Sequence, residues 1–248
     1  MCYNREKCYK KVTHLCERFE YLKAYHILIE GIDTLEVIDI SEKKRYLHQL
    51  GITLLLGKNE IDRSIPIFEE ALNLGYDKKS IFVDALTVNS LGIAYYLKGE
   101  IESAKPYFDE SLSALETLEL IDAEDMNKTM LTLYNTAKFY SGVSNYKKAI
   151  LICKTGIDIA VSENRMAHLE KLYYEKAFNH RELGNIDIAV LEFKRAYMIA
   201  DIRQSEIIKQ AAKEKLEEIK KGQKKGISMK LMTNNHEKNS KFPTIRSL

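Results

Sequence analysis

A small residue recurs along this chain at near-constant intervals. Ala24, Ser64, Ala104, Ala149 and Ala189 are spaced by 40, 40, 45 and 40 residues. Four positions after each comes a bulky or sulfur-bearing side chain, at Leu28, Phe68, Phe108, Cys153 and Phe193. Three further on stands another small one, at Gly31, Ala71, Ser111, Gly156 and Ala196. Periods of this length mark stacked supersecondary units. The copy "VNSLGIAYYLKGEIESAKPYFDESL", from Val88, predicts a helix, a reversal at "LKGEI", and a second helix carrying Ala104 and Phe108. Gly92 and Ala104 let the two axes approach closely, while Tyr95 and Phe108 fill the gaps beside them. One such pair cannot bury both its faces, so neighbouring pairs must stack.

Composition agrees with an all-α chain. Among 248 residues there are 3 Pro and 11 Gly, too few breakers to interrupt long helices often. No apolar run approaches the roughly 20 residues of a membrane span. The polar start "MCYNREKCYKK" is not expected to be a secretory signal. Cys2, Cys8, Cys16 and Cys153 show no CxxC spacing, and reduced thiols in a cytoplasmic protein are the expectation. From Lys220 onward eight Lys or Arg face one acid, Glu237, while the body is mildly acidic and offers no nucleic-acid face. The expected organisation is therefore a helical domain over 1–222 and a basic, disordered tail over 223–248.

Catalytic chemistry finds no support in the pattern. The six histidines are scattered and none follows HExxH, "GKNEIDRS" lacks the lysine of a phosphate loop, and no GxSxG is present. No enzyme activity, metal or cofactor is expected. The 15 tyrosines at helical spacing read as packing residues.

The recurring helix–turn–helix pattern resembles the tetratricopeptide repeat (TPR). Its stretched period, together with "LTVNSLGIAYY", "TLYNTAKFYSGVSNYKKAI" and "AVSENRMAHLEKLYYEKAF", resembles the peptide-sensing regulators of Gram-positive bacteria, the Rap, NprR, PlcR and PrgX family, nearest its PlcR type. The likeness runs from about Glu6 to about Arg203. Asn89 lies fifteen residues before Ala104 and Asn135 fourteen before Ala149, offsets that the PlcR-like pattern shares.

The resemblance implies a right-handed superhelix of about five helix pairs, closed by a capping helix in "SEIIKQAAKEKLEEIKKG". Ser205 would cap that helix, Gly222 would end it, and Ile208, Ala212, Lys215 and Ile219 would form its buried stripe. The first helix of each pair would line a concave face. On that face Asn89 would sit with Leu86, Ile93 and Tyr96, Asn135 with Thr132 and Phe139, Gln49 with Thr53 and Leu56, and Glu175 with Asn179. An Asn amide offers a donor and an acceptor that match an extended peptide backbone. The implied function is that of an intracellular receptor for a short signalling peptide, the sensor part of a quorum-sensing transcription regulator. A homodimer is implied, with DNA reached only through a helix-turn-helix domain that this chain is expected to lack. That lack would reflect an excised fragment, a natural protein or a damaged gene. The alternative is a TPR adaptor that holds a protein partner without a transcriptional role. As groove residues, Asn89 and Asn135 are expected to be replaceable by Ala without loss of stability.

Overall fold

A computed structural model describes residues 5–32, 39–75, 77, 80–118 and 123–239. Eleven α-helices account for them, and no strand occurs among the described residues, as the periodicity requires. The chain divides into two compact units, Met1–Val143 and Ser144–Leu248. The first contains α1 (Arg5–Glu17), α2 (Tyr21–Gly31), α3 (Ile40–Ile52), α4 (Ile61–Asn73), α5 (Ile81–Lys98), α6 (Ile101–Thr117) and α7 (Ala123–Gly142). The second contains α8 (Tyr146–Ser162), α9 (Leu169–Glu182), α10 (Ile186–Ile202) and α11 (Glu206–Asn239).

Every recurring small residue stands on the helix that follows a chain reversal and is fully buried, at Ala24, Ser64, Ala104, Ala149 and Ala189. Five positions before each, the backbone turns left-handed, at Phe19, Asn59, Gly99, Ser144 and Gly184. The next amide then reaches back to the end of the first helix. Glu20 N bonds Leu15 O at 2.9 Å, Glu100 N bonds Tyr95 O at 2.9 Å, and Asn185 N bonds His180 O at 2.9 Å. This is the Schellman closure, which satisfies carbonyls that a helix end would otherwise leave open.

The second pair carries one residue more than the third. Gly51 precedes Ser64 by thirteen residues, whereas Gly92 precedes Ala104 by twelve. A π-helical turn over Thr53–Gly57 absorbs the extra residue. Gly51 thereby reaches the place against Phe68 that Gly92 holds against Phe108. A methyl group on Gly51 would come within 2.3 Å of the buried Phe68 ring, and one on Gly92 within 3.1 Å of the Phe108 ring. Gly51→Ala is accordingly expected to lose about 1–3 kcal/mol, because overpacking outweighs the better helix propensity of Ala. A melting temperature at or above wild type would show that α4 can slide away.

Within the second unit, Ala177, Ala189, Phe193, Ala196 and Ala212 form one core, with Leu216 and Ile219 packed on it. The capping stripe of α11 is thus where its spacing places it. Its end is not. Gly222 does not take the left-handed backbone that Gly99 and Gly184 use, and α11 continues to Asn239. Without that turn nothing at Gly222 interrupts the helix. Residues 240–248 of the expected tail lie outside the described residues. A second correction concerns the thiols: Cys8 is disulfide-bonded, while Cys16 and Cys153 are not in a disulfide. The crowding of three cysteines into the first sixteen residues makes a bridge to Cys8 locally accessible.

Candidate functional site

The first helices of the pairs in the first unit, α3, α5 and α7, carry an unusual number of buried polar groups. Lys44, Gln49, Thr87, Asn89, Thr129, Thr132 and Thr136 are all buried. These helices pack in succession, α3 on α5 and α5 on α7. The Lys44 ammonium on α3 donates to Asp84 Oδ2 on α5 at 2.7 Å. Thr87 Oγ1 donates to the Val83 carbonyl at 2.7 Å and lies 3.2 Å from His48 Nδ1. A hydroxyl has one proton to give, so His48 Nδ1 carries the hydrogen and donates to Thr87. Burial, with the Lys128 charge nearby, drives the His48 pKa down to about 3, so the ring is neutral at pH 7.

Asn89 Nδ2 donates to Thr136 Oγ1 at 2.9 Å, a side-chain bond from α5 to α7 that is wholly buried. Asn135, one residue before Thr136, is half-buried. Phe139 stacks on Phe108 with ring centroids 4.3 Å apart, and Tyr96 meets its edge at 5.4 Å. Ile93 packs against the core formed by Leu55, Phe68 and Leu91. Gln49 Nε2 donates to Thr13 Oγ1 on α1 at 3.1 Å. Asn89 with Thr136, and Tyr96 with Phe139, are therefore joined across the α5–α7 junction, and Asn135 stands on α7 next to Thr136. Glu175 and Asn179 belong to the second unit, where Asn179 Nδ2 donates to the Glu175 carbonyl at 2.7 Å and both residues are buried.

Four buried polar atoms on these same helices find no hydrogen-bond partner among the described residues: Gln49 Oε1 on α3, Asp84 Oδ1 on α5, and Asn127 Oδ1 and Thr129 Oγ1 on α7. Native proteins leave few buried polar groups unpaired, and each such group calls for a reason. Gln49, Asn89 and Thr132 are among the residues that the sequence marks, whereas Lys44, Asp84, Thr87, Thr129 and Thr136 are not. A threonine run at 129, 132 and 136, one face of α7, was the available signal. Among the described residues no group of three or more His, Cys, Asp or Glu is placed to hold a metal, and no helix is long and apolar enough to cross a membrane.

A fold of TPR-like helix pairs with buried polar groups along α3, α5 and α7 defines a class of helical-repeat domains, and comparison with known proteins narrows it. The model of the RNPP family C-terminal domain matches residues 76–220, more than half of the chain, and the chain belongs to that family. Bacillus thuringiensis PlcR, in complex with the peptide PapR7 and DNA, superposes with a TM-score of 0.72 at 21% identity, covering 84% of this chain and 73% of that one. Its apo form gives 0.72 at 22% identity, over 86% and 78%. The apo form of RapI gives 0.53 at 18% identity, over 81% and 71%. At these identities the likeness is one of fold. A search of curated proteins finds no match to the sequence.

Proposed function

We propose that this chain is the peptide-sensing part of a quorum-sensing transcription regulator. It acts in the cytoplasm as a non-enzymatic homodimer and binds a short signalling peptide, extended, along α3, α5 and α7. DNA is reached through a helix-turn-helix domain. The observation that carries the reading is the set of unpaired buried atoms on Gln49, Asp84, Asn127 and Thr129, all on first helices of one unit. An extended peptide presents an N–H and a C=O at each residue; its N–H groups can donate to Gln49 Oε1, Asp84 Oδ1 and Asn127 Oδ1, and a C=O can accept from the Thr129 hydroxyl. Family membership and the PlcR–PapR7 complex support the same ligand class.

Titration calorimetry against a library of short synthetic peptides tests the proposal. Asn135→Ala is expected to weaken the best peptide by about 5- to 150-fold, the equivalent of about 1–3 kcal/mol, with the melting temperature kept. Asn89→Ala is expected to weaken it too, but also to lose about 1 kcal/mol of stability. Its amide is buried and ties α5 to α7 through Thr136, so the expectation that both asparagines are dispensable for folding holds no longer for Asn89. Full-strength binding by the double variant would remove these residues from the site. A stable large partner with no peptide ligand would favour the adaptor reading instead.

A further inference from the structure

Where α8 gives way to α9, buried polar atoms are left without a hydrogen-bond partner among the described residues. They are Arg165 Nε, His168 Nδ1 and Glu170 Oε2. His168 and Glu170 are only 6% and 2% exposed. His168 stands at the head of α9, a helix of 14 residues, and makes no side-chain capping bond there. The open amides and the dipole at such a helix start favour negative charge. Arg203, just past the end of α10, reaches the same place. Its Nε lies 3.1 Å from Glu170 Oε2, but out of line for a hydrogen bond. Burial, with the Lys171 and Arg203 charges beside it, keeps the His168 ring neutral at pH 7. A neutral imidazole carries its hydrogen on one nitrogen, so Nδ1 is able to donate.

We propose that the head of α9, with Arg165, His168 and Arg203, binds a compact oxyanion of the phosphate class. The chemistry of the unpaired groups selects this ligand. Arginine has donors and no acceptor, so whatever meets Arg165 Nε must accept. A water would take that hydrogen but leave the guanidinium charge unanswered. An oxyanion accepts from Arg165 and His168 together and meets the start of α9 as well. Glu170 does not repel it strongly, because Arg203 stands against that carboxylate. Donors arriving from the connection, from α9 and from the end of α10 suit a tetrahedral anion better than a planar carboxylate. The bound anion would tie these three segments together, so binding should stabilise the second unit.

The proposal does not rest on peptide binding, which is read on helices of the other unit, so either can fail alone. Thermal melting and titration calorimetry of the full chain with inorganic phosphate test it, against chloride at equal ionic strength. Phosphate should bind saturably and raise the melting temperature. Sulfate should do the same, and acetate should do less. Arg165→Gln should melt like wild type without phosphate, because the atom removed has no partner to lose. It should bind phosphate about tenfold or more weakly. Arg165→Lys keeps the charge without the Nε donor and should recover only part of the affinity. Melting that follows ionic strength alone, or full-strength phosphate binding by Arg165→Gln, would overturn the proposal. Acetate acting as strongly as phosphate would overturn the ligand class.

Discussion

Lowering the pH from 7 towards 4 is expected to destabilise both units steeply, by up to about 1.4 kcal/mol per pH unit for each of two buried histidines. His48 in the first unit and His168 in the second are each held neutral by burial, with pKa values driven down to about 3 from the ordinary 6.5. In the unfolded chain both accept a proton near pH 6.5. Between about pH 6.5 and 3 the unfolded state therefore binds more protons than the native one. Their contribution is complete above pH 6.5 and drains away as the pH falls. Denaturant titrations at several pH values would measure the slope. His48→Gln should remove the first unit's share. His168→Asn should remove the second's while tolerating the left-handed backbone that His168 adopts. A slope that neither variant changes would mean that both rings are solvated.

The helix pairs were legible because they rest on volume. A small side chain at Ala24, Ser64, Ala104, Ala149 or Ala189 suits closely approaching helices, and all five are fully buried. The reversals were legible where glycine or asparagine marks them, as at Gly99 and at Asn59 in "GKNEI", because both residues tolerate the left-handed region. Phe19 and Ser144 take the same conformation, and their side chains carry no sign of it. The π-helical turn was written in the sequence as a one-residue surplus between Gly51 and Ser64, visible only once the pairs are aligned in space.

The candidate site was half legible for a related reason. Asn89 and Asn135 stand out because Asn is a poor helix former, but their offsets from the small residue differ by one. In the fold that single residue separates their roles. Asn89 bonds to Thr136, the neighbour of Asn135, so one asparagine ties the helices together while the other stays half-buried beside it. Pairings such as Lys44 with Asp84 or Asn89 with Thr136 join residues some forty positions apart, and a lysine or threonine at helical spacing reads equally well as a solvated face.

Asp84→Ala should be the most damaging single substitution along these first helices, at about 3–5 kcal/mol, because it strands a buried ammonium. Lys44 is 1% exposed and has Asp84 Oδ2 at 2.7 Å, while Asp84 itself keeps some contact with solvent. Burial pushes the Asp84 pKa up against the pull of Lys44, a sign that desolvation of this pair is expensive and that Lys44 limits the damage. The pair is therefore a device of alignment between α3 and α5 more than a source of stability. Replacing both ends with apolar groups tests that distinction: Lys44→Met with Asp84→Leu should recover most of the lost stability, since neither charge then needs an answer. Peptide affinity should not recover with it, because Asp84 Oδ1 is among the unpaired buried atoms assigned to the ligand. A double variant that melts like wild type and binds peptide at full strength would confine Asp84 to packing. One that melts as low as Asp84→Ala would mean that the two charges hold α3 and α5 together by attraction after all.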